Sequence, residues 1–447
     1  MQKKLLSGLF WVLLANLLVK PFWILGIEVG VQNAVGNEAY GFYHALFSFS
    51  YIFNILLDMG LTNYNTRNIA QHPQLITKYL SGILGMKICL FGLYVAVAFT
   101  VGLLTGYGSD EFRLLGLLAV CQFLNSLILY LRSNFEGLLL FKWDSVLSVL
   151  DRVLMVAICG CLLWSPLRTR FDIHLFVYAQ LVAYGATALL ALVVIGRKAG
   201  LKRVRFEKRF CMAVLKESAP FALLVLLMAS YNRIDPILLQ RLAGDAEAGV
   251  YAGAFRLLDA LTMVAYLVSV PLLPVYSRLC RGEREQVGPT TRLVLLPMMF
   301  FAVGSAVALS LAAEGVMGLL YGERGGQYVP VFRVVIFGII PISLTYIFGS
   351  LLTAGGYLRQ LNLFAAASLV LNVAVNMALI PRLGAVGSAW ASLTAQGLMA
   401  AAQVWLAVRL FRLPPAIFRM PGREDFAMLR SMVGERLSAR GGTEGGR

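Results

Sequence analysis

The chain has 447 residues, of which 59% are hydrophobic and only 14% are charged. Soluble globular domains carry roughly 45–50% apolar and 25% charged residues, so this composition excludes them and predicts a protein that crosses a membrane many times. The net charge of +16 would suit a nucleic-acid partner, but the basic residues lie in loops where membrane topology alone requires them.

Twelve apolar runs follow one another along the chain, and each is long enough to cross the ~30 Å hydrocarbon core of a bilayer. The first six lie at roughly 6–28, 40–61, 80–104, 113–131, 146–165 and 174–196. The second six lie at roughly 219–240, 250–273, 293–313, 331–353, 362–380 and 387–408. We therefore predict an all-α polytopic membrane protein with about 12 transmembrane helices.

Lysine and arginine are concentrated on one side of these spans. We count 28 of them in the segments that share a side with the amino terminus, Arg152 included, and 7 in the segments on the opposite side. Because cytoplasmic loops carry the excess of basic residues, we predict that both termini are cytoplasmic. The basic loop at 197–218 follows from this topology and would also lie near anionic lipid headgroups. We expect no nucleic-acid partner.

A short motif recurs in the two halves of the chain. Residues 36–43 (GNEAYGFY) match residues 244–251 (GDAEAGVY) at an offset of 208 residues, with both glycines and the final tyrosine identical. Six spans per half is an even number, so the halves would be parallel repeats related by a pseudo-twofold axis along the membrane normal. The predicted units are two six-helix lobes, 1–196 and 219–410, a basic cytoplasmic linker, 197–218, and a cytoplasmic tail, 411–447.

With the charges near span ends assigned to the loops, eight charged side chains remain inside the predicted spans. A charge in hydrocarbon costs at least ~2.5–3.5 kcal/mol, so such residues face a protein interior or a watery cavity. Lys87 lies near the predicted cytoplasmic end of its span, from which its side chain can snorkel to water. The cations are Lys20, Lys87, Arg233 and Arg256, and the acids are Glu28, Asp58, Asp235 and Asp259.

Helical spacing places several of these charges on polar faces. Asn16 and Lys20 share a face of the first helix, because residues four apart are neighbours on a helix. If the first, second, seventh and eighth helices line a cleft between the lobes, their polar faces meet there. Cations in such a cleft attract an anionic headgroup, and polar side chains hydrate sugars. The predicted substrate-binding residues are Asn16, Lys20, Tyr231, Arg233 and Arg256.

The same charges also admit structural interpretations, which the sequence leaves open. Arg256 and Asp259 are three residues apart and would neutralise each other on one helix face. Asp235 would serve as the partner of a cation on a neighbouring helix. Asp58 would cap a helix or pair with Arg67.

Nothing in the sequence indicates a bound cofactor or a metal site. No nucleotide-binding signature such as a P-loop is present, so any energy source would be an ion gradient. Asp58 or Glu28 would then couple protons or sodium to transport, and Asp235 and Asp259 are either coupling residues or structural charges. His44 lies at a predicted span end, where a packed or solvated side chain is expected.

The second half opens with a stretch whose motifs resemble a known family. Residues 231–235 read YNRID, residues 249–257 read GVYAGAFRL, and Pro274 is followed by Arg278. This stretch resembles the seventh and eighth helices of bacterial polysaccharide (O-antigen type) flippases, whose superfamily also contains multidrug extruders and peptidoglycan-lipid flippases. Further motifs in the family's order are Tyr40-Gly41-x-Tyr43, Asp58-x-Gly60-Leu61, Arg67-Asn68-x-Ala70, Leu320-Tyr321-Gly322 and Asn372-x-x-x-Asn376.

The resemblance implies two six-helix lobes, alternating access and a transporter that is not an enzyme. It also implies transfer of undecaprenyl-pyrophosphate-linked repeat units, such as those of O-antigen in lipopolysaccharide, from the cytoplasmic to the outer leaflet of the bacterial inner membrane. The implied partners are the lipid-linked glycan, membrane lipids and other polysaccharide assembly proteins. Lys20 and Arg233 carry over as hypotheses, because the family's substrate-contacting cations vary between members.

Three other functions remain open on the sequence. A drug or cation antiporter of the same superfamily would need an acidic cleft, whereas the deepest charges here are Lys20 and Arg233. A peptidoglycan-lipid flippase typically has fourteen helices, against the twelve predicted here. A membrane glycan polymerase or ligase would need a substantial outside loop, but the longest predicted outside connection, 314–330, has about 17 residues.

Overall fold

The computed structural model of the chain describes residues 19, 21–138, 140–166, 171–200, 208–269 and 271–418. All regular secondary structure in these residues is helical. Most of the first predicted span, with Asn16 and Lys20, and the predicted tail beyond residue 418 lie outside the described residues. Long apolar runs fold as helices because a helix satisfies its backbone hydrogen bonds within the segment that crosses hydrocarbon.

The first half of the chain contains seven helices in the described residues. A π-helical turn at Trp23–Glu28 leads into the first of them. They are α1 (Val29–Ile52), α2 (Ile55–Asp58), α3 (Leu61–Gln71), α4 (Ile76–Leu104), α5 (Ser109–Gly137), α6 (Phe141–Leu163) and α7 (Ile173–Ala199). A 3-10 turn at Pro73–Leu75 joins α3 to α4.

The second half contains eight helices in the described residues. They are α8 (Lys208–Ala243), α9 (Asp245–Ser269), α10 (Leu272–Gly282), α11 (Val287–Leu311), α12 (Ala313–Tyr321), α13 (Val329–Val335), α14 (Ile339–Ala354) and α15 (Leu358–Phe411). Short 3-10 turns lie at Arg284–Gln286, Gly322–Tyr328, Ile336–Gly338 and Pro415–Phe418. Because α8 begins at Lys208, it starts inside the predicted linker 197–218.

The helices agree with about twelve membrane passes. In the described part of the chain, 8 helical stretches are long and apolar enough to cross a membrane. The 54-residue α15 supplies two passes, because its backbone leaves the helical conformation at Gly384 (φ 54°, ψ −133°). Helices α1 and α8, together with the first span predicted from the sequence, bring the total to about twelve. The predicted all-α polytopic fold is confirmed.

Two of the differences from the predicted boundaries affect the interpretation of the chain. The helix that continues the first predicted span runs on to Gly36, where a φ of 86° interrupts it. The return into the second span is therefore a single-residue break and not a longer loop. Helix α6 begins at Phe141, before the predicted start at 146. Arg152 therefore lies about three turns inside a helix, and its assignment to a cytoplasmic loop is wrong.

The internal repeat extends beyond the matched motif. Helices α3 and α10 each have 11 residues, and each is followed by a three-residue 3-10 turn and a long apolar helix. Corresponding elements begin 211 residues apart, at Leu61 and Leu272, Pro73 and Arg284, and Ile76 and Val287. The repeated glycines Gly36 and Gly244 have φ values of 86° and 91°, which glycine adopts without a steric penalty.

Helices α1 and α9 cross with their backbones in contact. A Cβ atom at Gly41 would overlap the carbonyl oxygen of Asp245, and a Cβ atom at Gly249 would overlap that of Asn37. These two contacts are equivalent under the repeat, because 41 and 249, like 37 and 245, are 208 residues apart. The crossing therefore lies on the pseudo-twofold axis between the halves. Only glycine fits at both positions, which explains why it recurs in the motif.

Hydrogen bonds join the two halves beside this crossing. The Nε2 atom of Gln32 donates to the carbonyl oxygen of Gly249 and to Asn37 Oδ1, each at 2.8 Å. The hydroxyl of Tyr328 donates to Asn37 Oδ1 at 2.5 Å. We call this region, formed by Gln32, Asn37, Gly41, Gly249 and Tyr328, the closed end of the molecule.

Alanine at Gly249 is expected to destabilise the protein, because its methyl group would meet the backbone of Asn37 and force the halves apart. Overpacking of this kind costs roughly 1–3 kcal/mol, so the midpoint of thermal unfolding in detergent should fall. Gly304→Ala in α11 is the matched control, since a Cβ atom built there has no neighbour within 4 Å. Equal midpoints for the two variants would show that the crossing is less close than described.

Candidate functional site

A cavity of about 1250 Å³ lies between the two halves, beyond the closed end. Its walls come from α1, α5, α6 and α7 of the first half and from α8, α9, α14 and α15 of the second. It extends from Tyr40, one residue from the close crossing, to Thr62 in α3. Pockets for ordinary small molecules occupy roughly 300–1,000 Å³, so this cavity has room for a larger headgroup.

The predicted site residues in the described part of the chain converge on this cavity. The polar faces predicted for the second, seventh and eighth spans thus meet between the halves. Asn16 and Lys20 lie outside the described residues, so their placement stays a prediction. The predicted residues that line the cavity are Glu28, Asp58, Tyr231, Arg233, Asp235, Arg256 and Asp259.

Arg256 pairs with an acid of the other half and not with Asp259. Its Nε atom lies 3.6 Å from Glu28 Oε2, and its Nη1 donates to the hydroxyl of Tyr321 at 3.1 Å. Its guanidinium carbon lies 4.4 Å from the ring centroid of Tyr40. The remaining nitrogen, Nη2, has no hydrogen-bond partner among the described residues. Asp259 is exposed at the cavity wall.

Arg233 has an aromatic environment and no acidic partner. Its guanidinium carbon lies 5.2 Å from the ring centroid of Tyr51 and 6.0 Å from that of Phe47. No carboxylate oxygen of the described residues lies within 4.0 Å of its nitrogens. A cation over aromatic faces gains roughly 0.5–2 kcal/mol and keeps its N–H groups at the guanidinium edge. Arg233 can therefore donate to an anionic ligand.

Asp235 is buried among neutral donors. The hydroxyl of Tyr251 donates to its Oδ2 at 3.1 Å, and Asn376 Nδ2 donates to its Oδ1 at 2.7 Å. Ser392 Oγ donates to Oδ2 in a short hydrogen bond. Asn376 and Ser392 lie on either side of the break at Gly384, so the carboxylate joins both arms of α15 to α8. The described residues provide hydrogen bonds for Asp235 and no ion pair.

Lys87 is buried and forms an ion pair with Asp58, which is 28% exposed. The Nζ atom of Lys87 lies 2.9 Å from Asp58 Oδ1 and also donates to the Leu57 carbonyl at 3.0 Å and to Ser126 Oγ at 2.7 Å. Asp58 accepts from the hydroxyl of Thr62 at 2.6 Å and from its backbone N–H at 3.3 Å, which caps the start of α3. Lys87 is 1% exposed, so the interpretation that it snorkels is wrong.

Residues 5–280, more than half of the chain, match the family described as polysaccharide biosynthesis protein. The chain belongs to this polysaccharide biosynthesis protein family. Among curated proteins it is similar to an uncharacterized membrane protein of Methanocaldococcus jannaschii. The two are 22% identical over 439 residues, which cover 92% of this chain and 85% of that protein. The family predicted from the motifs is confirmed.

Solved structures of membrane transporters have the same fold as this chain. The lipid II flippase MurJ in an inward closed conformation superposes with a TM-score of 0.68 at 13% identity, covering 90% of this chain and 88% of that one. An inward-facing multidrug resistance MATE family transporter of the MOP superfamily superposes with a TM-score of 0.64 at 14% identity, covering 90% and 95%. At these identities the likeness shows the fold alone, which is that of a multi-pass membrane transporter.

The cavity of this polysaccharide biosynthesis protein also contains residues that the sequence did not single out. The guanidinium carbon of Arg152 lies 5.3 Å from the ring centroid of Trp23 and 5.9 Å from that of Tyr184. Its ion-pair partner is its chain neighbour Asp151, at 3.5 Å. A signal was present, because both charges fall inside the apolar run predicted at 146–165. His44 also lines the cavity, although it was placed at a span end.

Replacement of Lys87 by methionine is expected to lower the thermal unfolding midpoint. The substitution leaves Asp58 without its cation. Breaking a fully buried pair costs roughly 3–5 kcal/mol, and the cost here should be smaller because Asp58 is partly exposed to the cavity. The double variant Lys87→Met/Asp58→Asn is the matched comparison, and it should unfold at a higher temperature than Lys87→Met alone because it buries no unpaired charge. If adding Asp58→Asn does not raise the unfolding midpoint of Lys87→Met, the two residues are not energetically coupled.

Proposed function

We propose that this protein is a flippase that moves an undecaprenyl-pyrophosphate-linked oligosaccharide from the cytoplasmic to the outer leaflet by alternating access around a cationic cleft. The observation that carries the proposal is Arg233, a guanidinium without an acidic partner in the described residues, which lines a cavity between the halves. A charge inside a membrane protein marks a substrate or ion pathway. A pyrophosphate suits it, because a guanidinium binds phosphate oxygens through two parallel hydrogen bonds.

Other residues of the cavity are proposed to share the substrate with Arg233. Arg256 is buried at the cavity wall, where its Nη2 nitrogen has no partner among the described residues, and Tyr231 lines the same cavity. Asn16 and Lys20 are proposed to reach it from the first helix. With the anionic headgroup and sugars held by these side chains, the lipid tail can stay in the bilayer. Such a transporter changes no covalent bond, so we propose that the protein is not an enzyme.

The count of lysine and arginine supports an orientation with both termini cytoplasmic. In that orientation the closed end faces outward and the cavity is reached from the cytoplasm. The lobes 1–196 and 219–410 would rock about the crossing on the pseudo-twofold axis, with the linker 197–218 and the tail 411–447 on the cytoplasmic side. We propose the bacterial inner membrane as the location.

The proposed glycan is a repeat unit of a surface polysaccharide, such as O-antigen of lipopolysaccharide, handed over by other assembly proteins. The family description supports a polysaccharide. The fold likeness to MurJ supports a peptidoglycan-lipid flippase as an alternative. The likeness to a multidrug transporter and the exposed carboxylate of Asp259 support a drug or cation antiporter as a second alternative.

Asp235 is the proposed coupling residue for a proton or sodium gradient. It is a buried carboxylate that hydroxyl and amide groups surround, so a small cation would neutralise it. Its partners lie on α9 and on both arms of α15, so such binding would act on three helical segments at once. Under the internal repeat, the position equivalent to Asp235 lies 208 residues earlier and is Ile27, so the carboxylate is not repeated in the first half. Glu28 and Asp58, the other proposed coupling residues, are engaged in ion pairs.

Arg233→Ala is expected to slow flipping of a radiolabelled lipid-pyrophosphate oligosaccharide in proteoliposomes by at least roughly tenfold, the equivalent of one lost contact of about 1.4 kcal/mol. Lys20→Ala should slow it similarly. Arg241→Ala is the matched control, because Arg241 lies on the same helix and over an aromatic ring, at 4.3 Å from the centroid of Tyr107, but does not line the cavity.

The outcomes of this assay separate the site from the function. If the wild type flips the substrate and Arg233→Ala does so equally fast, Arg233 is not a substrate contact although the flippase function stands. If the wild type moves no lipid-linked glycan but exports organic cations, the antiporter function replaces the flippase.

Asp235→Asn is expected to abolish the acceleration of flipping by an imposed proton or sodium gradient, because an amide cannot exchange a proton or hold a cation by charge. The rate is measured with and without each gradient in the same proteoliposome assay. Asp110→Asn is the control, since the Asp110 side chain is 80% exposed and lies outside the cavity. A gradient response that survives in Asp235→Asn would place the coupling elsewhere.

A further inference from the structure

One face of α1 presents a ladder of aromatic rings to the cavity. Tyr43, Phe47 and Tyr51 are four residues apart and therefore lie on one helix face. The ring centroids of Tyr43 and Phe47 are 5.8 Å apart, and those of Phe47 and Tyr51 are 6.2 Å apart. All three residues line the cavity, and Phe47 and Tyr51 are half-buried. The cavity therefore has an aromatic wall.

Arg233 lies over the last two rings of this ladder, at 6.0 Å from the centroid of Phe47 and 5.2 Å from that of Tyr51. The rings belong to the first half of the chain, whereas Arg233 belongs to α8 of the second. Phe47 and Tyr51 still line the cavity and are only half-buried, so part of each ring stays accessible beside the guanidinium. This arrangement places a flat apolar surface directly beside planar hydrogen-bond donors.

A sugar phosphate matches both parts of this arrangement. The C–H groups on one face of a pyranose ring carry partial positive charge and pack on the electron-rich face of an aromatic ring. A phosphate accepts two parallel hydrogen bonds from a guanidinium, which an ammonium group cannot reproduce. Neither an isolated sugar nor free phosphate would use both parts.

We propose that Phe47, Tyr51 and Arg233 form a subsite for a sugar 1-phosphate unit. The sugar next to the phosphate stacks on the rings of Phe47 and Tyr51, and the phosphate oxygens accept hydrogen bonds from Arg233. This subsite rests on the proposed function, since it names the part of the lipid-linked glycan that lies at Arg233.

The subsite is complete only while the two halves keep their present arrangement. Helices α1 and α8 pack directly against each other, so a rotation of one half against the other moves Arg233 away from the rings. The rings and the guanidinium would then no longer bind the same sugar phosphate together. Affinity therefore falls when the halves move, which favours release of the substrate on the opposite side.

Binding of glucose 1-phosphate, glucose and inorganic phosphate to the purified full-length protein in lipid nanodiscs tests the subsite by calorimetry. The wild type should bind glucose 1-phosphate at least roughly tenfold more tightly than either fragment. Phe47→Leu and Tyr51→Leu should lose this advantage without losing affinity for phosphate. Tyr51→Phe should keep it, because the ring remains.

Arg233→Lys tests the planar donors, since it preserves the positive charge but removes the pair of parallel guanidinium N–H groups. It should weaken glucose 1-phosphate binding roughly tenfold. Arg241→Lys is the matched control, because Arg241 also lies over a ring, that of Tyr107, outside the cavity. Unfolding midpoints close to that of the wild type show that each variant is folded.

Unchanged affinity for glucose 1-phosphate in both leucine variants, or an equal loss in Tyr51→Phe, would overturn the aromatic subsite. Flipping by the wild type in proteoliposomes is measured separately. If it flips lipid-linked oligosaccharide and the leucine variants bind and flip normally, the subsite fails and the flippase function stands. If it binds glucose 1-phosphate with the expected dependence on the rings but flips no glycan, the flippase function fails and the subsite stands.

Discussion

The contact on which the rest of the structure depends is the crossing of α1 and α9 at Gly41 and Gly249. No side chain separates the two backbones there, so the halves meet closely at one end. Further along the same helices, Phe47 and Phe255 face a cavity and not each other. A symmetric contact needs the same small residue at both repeat positions, which is why the glycines recur at an offset of 208 residues. The cavity is the space that opens beyond this crossing.

The charged residues of the cavity differ in how far their neighbours neutralise their charge and provide hydrogen-bond partners. Asp58 and Lys87 satisfy each other, so they stabilise the start of α3 and require nothing from a ligand. Asp235 accepts hydrogen bonds from hydroxyl and amide groups, which orient the carboxylate but do not neutralise it. Arg233 packs on aromatic rings and has no carboxylate within 4.0 Å among the described residues. Since an unpaired charge in low-dielectric surroundings is costly, the last two are the residues at which a cation and an anion would bind most favourably.

The number of helices followed from the sequence, because hydrocarbon thickness fixes the length of a span. The repeated motif marked Gly41 and Gly249 as equivalent positions, but it did not predict that their backbones meet. The ion-pair partners of the charged residues could not be predicted from the sequence. Helical spacing tells which residues share a face of one helix, but not which neighbouring helix that face meets, so Arg256 turned out to pair with Glu28 of the other half. Arg152 was missed for a different reason. It lies near the start of its apolar run and was assigned to a loop, but its helix begins earlier, at Phe141.

The closed end is held by weak contacts, which the binding free energy of a substrate can offset. In the described residues it consists of the backbone crossing and of neutral hydrogen bonds from Gln32 and Tyr328, each worth roughly 0.5–1.5 kcal/mol. The ion pair between Glu28 and Arg256 lies in the cavity, where an anionic ligand competes for the guanidinium. A ligand shifts a conformational equilibrium only by its differential affinity for the two states. Because α8 packs against both α1 and α9, a displacement that separates the crossing also moves Arg233 from its rings. Opening of the closed end and weakening of the sugar-phosphate subsite would therefore be one motion.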